Sequence, residues 1–127
     1  MKYIIDTHSL VWYFAEDERL SNKARKIIQG AEEGKEEIIL PAIVLLEAID
    51  IQEKKKIKFD LKRLFDFIEA RENFKVVPID FEQIKRLVKI GRGLDLHDRV
   101  ILTIAEIFNA VILTRDKELR EKAKTIW

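Results

Sequence analysis

Short apolar runs alternate with helix-forming segments along the whole chain, and this order limits the possible folds more than any other feature. The runs cover residues 3–5, 37–40, 74–77 and 110–114. They are rich in β-branched residues, which is typical of strands buried on both faces. Between them, apolar residues recur at the spacing of a helix. Such alternation predicts a parallel sheet covered by helices on both sides.

Residues with special backbone or capping preferences mark the ends of the predicted helices. Ser21, Asp60 and Asp80 stand where a side-chain oxygen caps a helix N-terminus. Pro41 suits the first turn of the helix after the second strand, and Asn109 suits a left-handed C-cap. The helix after Asp80 is expected to turn four apolar residues inward, namely Phe81, Ile84, Leu87 and Val88.

The length and composition of the chain indicate a single folded domain. The chain has 127 residues, of which 47% are hydrophobic and 37% charged, and its net charge is +1. It has no cysteine, which excludes disulfides and thiolate metal sites, and no apolar run long enough to span a bilayer. We predict one cytoplasmic domain over residues 1–127, a three-layer α/β/α fold with a parallel sheet of four to five strands. Residues 125–127 are a candidate edge strand.

Acidic residues recur where the predicted strands end. Asp6 directly follows the first strand, and Asp116 follows the fourth strand by one residue. Glu47 is a lone carboxylate in the apolar helix after the second strand. The carboxyl ends of parallel strands share one edge of the sheet, so these acids are expected to converge there. Two alternatives stay open: Asp6 as a helix N-cap, and Glu47 on the solvent side of its helix.

The segment over residues 93–108 opens a long helix with two more acids. Counting from Asp98, helical spacing leads to Ile101, Ile104, Ala105 and Phe108, which form one apolar stripe. Asp98 therefore begins the face that points into the core, whereas Asp95 stands one turn earlier, in a capping position. We predict that Asp95 is the N-cap and that Asp98 belongs to a site at the edge of the sheet.

Carboxylates packed together repel and raise one another's pKa unless a cation neutralises them. Oxygen ligands without cysteine or a histidine cluster select a hard ion such as Mg²⁺ or Mn²⁺, and such an ion activates water for attack on a phosphodiester. Nearby hydroxyl groups could hold a water or a phosphate oxygen: Thr7, Ser9 and Thr114. Arginines near the expected mouth of the site could contact RNA phosphates: Arg92, Arg99 and Arg115.

At these positions the chain resembles the PIN domain family and, within it, the VapC toxins of toxin–antitoxin pairs. The matching segments are residues 5–12, 45–47, 95–99 and 113–116, in family order. The resemblance implies a metal-dependent endoribonuclease whose acidic residues are Asp6, Glu47, Asp98 and Asp116. Asp6, Asp98 and Asp116 would hold Mg²⁺ or Mn²⁺, with Thr114 in support and Asp95 as cap or accessory ligand. It also implies a homodimer, a VapB-like antitoxin and structured RNA such as tRNA as substrate.

Two other functions are compatible with an α/β domain of this size. One is a phosphoacceptor domain of the receiver type, which would need paired acids after the first strand and a lone aspartate after the third. Here Asp6 stands alone, and Pro78 closes the third strand. The other is a non-catalytic interaction module, because a fold does not determine a function.

Overall fold

The computed structural model describes residues 1–127 and contains five strands and seven helices. In chain order these are β1 (Lys2–Ile5), α1 (Thr7–Phe14), α2 (Asn22–Glu32), β2 (Glu37–Pro41), α3 (Ala42–Glu53), α4 (Leu61–Glu69), β3 (Phe74–Val77), α5 (Phe81–Leu87), α6 (Leu96–Phe108), β4 (Val111–Leu113), α7 (Lys117–Lys122) and β5 (Thr125–Ile126). None of the helices has the length and apolar composition needed to cross a membrane.

All five strands are parallel and lie in the order β3-β2-β1-β4-β5. The chain steps from β1 outward to β3 and then returns to the other side of β1. Right-handed crossovers therefore place α1–α4 on one face and α5–α7 on the other. The helix contacts agree, because α3 packs on α1 and α4, while α5 packs on α6. The predicted three-layer fold is confirmed, and β1 and β4 flank the point where the strand order reverses.

The core lies between the central strands and α6. Ile4, Ile39 and Ile112 on three adjacent strands are fully buried, as are Ile101 and Ile104 on α6. The predicted stripe that begins at Asp98 is thus confirmed as the face of α6 that packs on the sheet. Truncating a buried isoleucine of this kind to alanine costs about 2–5 kcal/mol. This packing fixes the position of the N-terminus of α6 relative to the sheet edge.

Capping residues begin and end the helices largely as predicted. The side chains of Ser21, Asp60 and Asp80 each accept a hydrogen bond from the backbone N–H three residues on. Asn109 adopts the left-handed conformation (φ 52°, ψ 48°) at the end of α6. Pro41 differs slightly from the prediction: it is the last residue of β2 and the N-cap of α3, so it precedes the first helical turn.

The burial predicted for α5 is wrong. Phe81 is 72% exposed, Val88 60% and Ile84 46%, and only Leu87 of the four is half-buried. The buried side chain of α5 is Gln83, whose amide donates to the Pro78 carbonyl at 3.0 Å. The helix follows the edge strand β3 and makes its main contacts with α6, so most of its apolar stripe remains uncovered within the chain. Helical spacing predicts the apolar stripe correctly but does not show whether another element covers it.

Candidate active site

Thr114 joins the two loops that leave the central strands. Its side chain is buried at the end of β4, and its hydroxyl donates to Oδ2 of Asp6 at the end of β1. The same hydroxyl accepts from the backbone N–H of Asp116 at 2.9 Å. Asp6 Oδ1 accepts from the Ser9 N–H at 2.9 Å, so Asp6 also caps α1. Asp6 is therefore both the N-cap and a residue of the shared sheet edge, and the two interpretations do not compete.

Three carboxylates meet opposite this junction. Asp98, Asp116 and Glu118 each place an oxygen within 4.8 Å of the others. Asp95 is the N-cap of α6, as predicted, and accepts from the backbone N–H of Asp98 at 2.9 Å. Asp98 is therefore free to face the other acids. We call Asp6, Asp98, Asp116 and Glu118 the acid cluster.

Burial and the neighbouring acids disfavour the charged form of Asp98. Burial, followed by the negative charges of Asp95, Asp116, Asp6 and Glu118, raises the pKa of Asp98 from 3.8 to about 7. A carboxyl group with this pKa is partly protonated at neutral pH unless a cation lies beside it. Helices α1 and α6 both begin at this edge of the sheet, and the positive ends of their dipoles favour negative charge there. The acid cluster is thus a set of hard oxygen donors that fits a divalent cation.

Glu47 lies apart from this cluster and is paired with a histidine. Its Oε2 is 3.3 Å from Nδ1 of His97, and the other ring nitrogen of His97 is 3.1 Å from Oγ1 of Thr7. Glu47 and His97 are half-buried, and Thr7 is buried. Thr7 follows Asp6, and His97 precedes Asp98. The Glu47 carboxylate is thereby connected to the residues beside two members of the acid cluster, and it is not on the solvent side of α3.

The predicted rim residues have different surroundings. The Arg99 guanidinium donates to the backbone carbonyls of Leu87 and Ile90, and Arg92 Nε donates to the Val88 carbonyl at 3.1 Å. These two arginines secure the end of α5 and the following turn. Arg115 alone of the three lines a cleft shared with acid cluster residues. We therefore retain only Arg115 as a candidate for phosphate contact.

Two residues of this region, Glu118 and His97, were not singled out from the sequence as site residues. Glu118 lies in the first turn of α7, where an acid is expected for helix stability alone. His97 had no visible partner because Glu47 and Thr7 are distant in sequence. Ser9, suggested above as a polar contact for the site, is fully buried and donates to the Leu113 carbonyl at 3.3 Å. Its hydroxyl therefore stabilises the β1–β4 end instead.

Comparison with known proteins identifies the fold family. The family model of the PIN domain matches residues 3–125. VapBC2 from Rickettsia felis, in a crystal structure bound to a DNA fragment from its promoter, superposes with a TM-score of 0.65 and 14% identity, covering 99% of this chain and 96% of that chain. PAE2754 from Pyrobaculum aerophilum gives a TM-score of 0.59 and 25% identity, with 99% and 91% covered. No curated protein matches the chain. The match over nearly the whole length removes the receiver alternative, and the chain belongs to the PIN domain family.

Proposed function

We propose that this protein is a metal-dependent endoribonuclease, the toxin of a VapBC-type toxin–antitoxin pair, which cleaves structured RNA such as tRNA in the cytoplasm. PIN domains are generally nucleases, which supports phosphodiester hydrolysis. The observation that carries the proposal is the acid cluster, in which Asp98, Asp116 and Glu118 approach within 4.8 Å at the sheet edge. The burial of Asp98 among the other acids supports a bound cation rather than a purely structural role.

Four carboxylates are suited to hold the cation. Asp98, Asp116 and Glu118 supply the converging oxygens, and Asp6 is held beside them by the Thr114 hydroxyl. A divalent cation bound there, Mg²⁺ or Mn²⁺, would lower the pKa of an attacking water and stabilise negative charge on the phosphate. With the cation present, Asp98 would remain ionised at neutral pH, because the positive charge would offset the burial and the neighbouring negative charges that raise its pKa.

Other residues of the site orient the reacting groups. Thr114 fixes Asp6 relative to Asp116 through two hydrogen bonds of a single buried hydroxyl. We propose that Glu47, held by His97, orients the water that attacks the phosphate or contributes a further ligand oxygen. Asp95 acts as the cap that positions Asp98, and its negative charge adds to the attraction for a cation.

We also propose two protein partners. The similarity to VapBC2 of Rickettsia felis supports a VapB-like antitoxin as one of them. The exposed apolar side chains of Phe81 and Ile84 on α5, and of Val88 directly after it, support a homodimer in which a second copy covers this face.

The proposal is tested by RNA cleavage with and without divalent metal. Purified wild-type protein is incubated with end-labelled tRNA in Mg²⁺, in Mn²⁺ and in EDTA, and fragments are separated on a denaturing gel. We expect discrete fragments with either metal, none in EDTA, and recovery when excess Mg²⁺ is added back. Cleavage that persists in EDTA would contradict the metal dependence. No cleavage of any RNA, together with no Mn²⁺ binding by calorimetry, would favour a non-catalytic interaction module.

A further inference from the structure

A cleft beside the acid cluster combines acidic, basic and aromatic side chains. Its volume is about 310 Å³, and its lining residues are Asp6, His8, Trp12, Arg19, Arg115 and Asp116. Because Asp6 and Asp116 belong to the acid cluster, the cleft opens directly onto the proposed site of hydrolysis. A volume near the lower limit of small-ligand pockets has room for about one nucleotide but not for a duplex.

Trp12 forms the wall at the basic end of the cleft. The Cζ atom of Arg19 lies 5.0 Å from a Trp12 ring centroid and that of Arg115 lies 4.8 Å away, both within the range of cation–π contact. The ring of His8 is 5.6 Å from the same indole. Trp12 is only 4% exposed, yet its indole N–H has no hydrogen-bond partner in the protein. Buried donors rarely lack an acceptor, so this N–H is one that a bound molecule could satisfy.

Both arginines have donors to offer to an anion. Arg115 is exposed and is held against Trp12 by its guanidinium, without an ion pair of its own. Arg19 is also exposed; its Nε and Nη2 donate to Asp17 at 3.0 and 2.6 Å, and its Nη1 remains free. The hydrogen bonds from Arg19, with the nearby charge of Arg115, lower the pKa of Asp17 to about 2. Asp17, Arg19 and Arg115 thus form one charged group, in which two cations face a single carboxylate.

We propose that this cleft binds one nucleotide of a single-stranded RNA segment, next to the phosphate that is cleaved. Arg19 and Arg115 bind its phosphate, and as they turn toward it they uncover the Trp12 ring and its N–H for the base. The inference rests on the proposed function, because the cleft adjoins the acid cluster. It assigns the RNA path to the side of the site formed by α1 and the loop after β4, and away from Arg92 and Arg99.

The test measures binding of a fluorescein-labelled single-stranded 20-nucleotide RNA by anisotropy. An Asp98→Asn background prevents cleavage and removes one repulsive charge, so no divalent metal is needed. Arg19→Gln and Arg115→Gln are compared with Arg86→Gln, which removes the same charge from an exposed residue beside Phe108, at the opposite end of α6. Because all three side chains are on the surface, thermal melting should be nearly unchanged.

We expect Arg19→Gln and Arg115→Gln each to weaken RNA binding roughly tenfold, as for loss of a hydrogen bond to a charged group. Each should also reduce the slope of log affinity against log salt concentration by about 0.7. Arg86→Gln should change neither quantity. Trp127, whose ring centroid lies 6.0 Å from that of Trp12, is replaced in a Trp127→Phe version of the background. RNA should then alter the emission of Trp12, the one remaining tryptophan. A duplex of equal length should bind more weakly.

Unchanged affinity in both cleft variants, with no change in Trp12 emission on RNA binding, would overturn the inference. So would equal binding of duplex and single strand, or no RNA binding at all. These results differ from failure of the proposed function, which is read separately from Mg²⁺-dependent cleavage by the wild-type protein. An active wild-type enzyme whose cleft variants bind RNA normally would keep the function and refute the cleft.

Discussion

Asp98 is the residue at which the stability of the fold and the proposed function are most clearly linked. Its pKa of about 7 shows that the ionised form is disfavoured by burial and by the surrounding acids. A divalent cation would reverse this preference, so the same repulsion that weakens the metal-free protein would favour metal binding. Strained or repulsive arrangements of this kind are typical of functional sites.

We predict that the metal-free protein loses stability as the pH rises from about 4 to about 7, because between these values the folded state holds a proton that the unfolded state has released. Asp98→Asn should remove this dependence and stabilise the metal-free protein at pH 8 by roughly 1–2 kcal/mol, a value reduced from the full shift because Asp98 is partly exposed to solvent.

Urea unfolding in EDTA at pH 5 and pH 8 measures this effect. The matched control is Asp66→Asn, which changes an exposed acid of α4 whose partner is Lys62. The control should follow the wild-type pH profile. An Asp98→Asn variant that is less stable than wild type at pH 8 would show that the Asp98 carboxylate stabilises the fold, contrary to our interpretation.

Glu47 and His97 are expected to act as one unit. We predict that Glu47→Gln and His97→Ala each reduce kcat for RNA cleavage, and that the double variant is little worse than either single variant, because each substitution removes the same pair. His97→Gln, which keeps a side-chain donor, should recover part of the activity. Independent, multiplicative losses in kcat would mean that the 3.3 Å contact has no role in positioning Glu47.

At the scale of single residues, the sequence separates Asp95 from Asp98 because one caps a helix and the other begins its buried stripe. It does not reveal the pairing of Glu47 with His97, which depends on α3 and the start of α6 reaching the same edge of the sheet. Nor does it distinguish Arg99, whose donors are used on the carbonyls of Leu87 and Ile90, from an arginine available to RNA.

At the scale of elements, helix α5 shows that an apolar stripe at helical spacing does not by itself predict a buried face. Its apolar stripe is regular, yet the helix lies beside the edge strand β3 and turns that stripe outward. The strands and capped helix starts are predicted more reliably, since β-branched runs and capping oxygens act within a few residues. The burial of a stripe depends on neighbours that only the whole topology supplies.

We predict that Phe81→Ser changes the free energy of unfolding of the isolated subunit by less than about 1 kcal/mol, because the side chain is largely exposed. A phenylalanine in the core would cost about 3–5 kcal/mol on truncation. If α5 is the homodimer contact, the same substitution should shift the protein from dimer to monomer in sedimentation velocity. A large loss of stability in dilute, monomeric protein would contradict the exposed position of Phe81.

At the scale of the whole molecule, the position of the site follows from the order of the strands. The order reverses between β1 and β4, so the loops after these two strands leave toward opposite faces and open a crevice at the sheet edge. Asp6 and Asp116 enter it from the strand ends, and Asp98 enters it from the start of α6. The alternation of strands and helices predicts that a site lies at this edge, but the order itself depends on long-range pairing that no local pattern contains.

The position of Glu118 is a consequence of the same topology. A short surface helix with acids in its first turn is common, and only the placement of α7 beside the start of α6 brings Glu118 to Asp98 and Asp116. In the same way, the cleft beside Trp12 exists because α1 and the loop after β4 lie side by side. Most residues of the site can be identified in the sequence, but only the complete fold shows which of them lie together.

The most direct test of the central claim is the rate of RNA cleavage by Asp98→Asn in saturating Mg²⁺, compared with wild type and with the Asp66→Asn control. Our interpretation predicts that Asp98→Asn loses at least about 100-fold in kcat, as for removal of a group that acts on the transition state. It also predicts that the variant remains folded and that Asp66→Asn cleaves like wild type. Wild-type cleavage by a folded Asp98→Asn protein would contradict the assignment of the acid cluster as the active site.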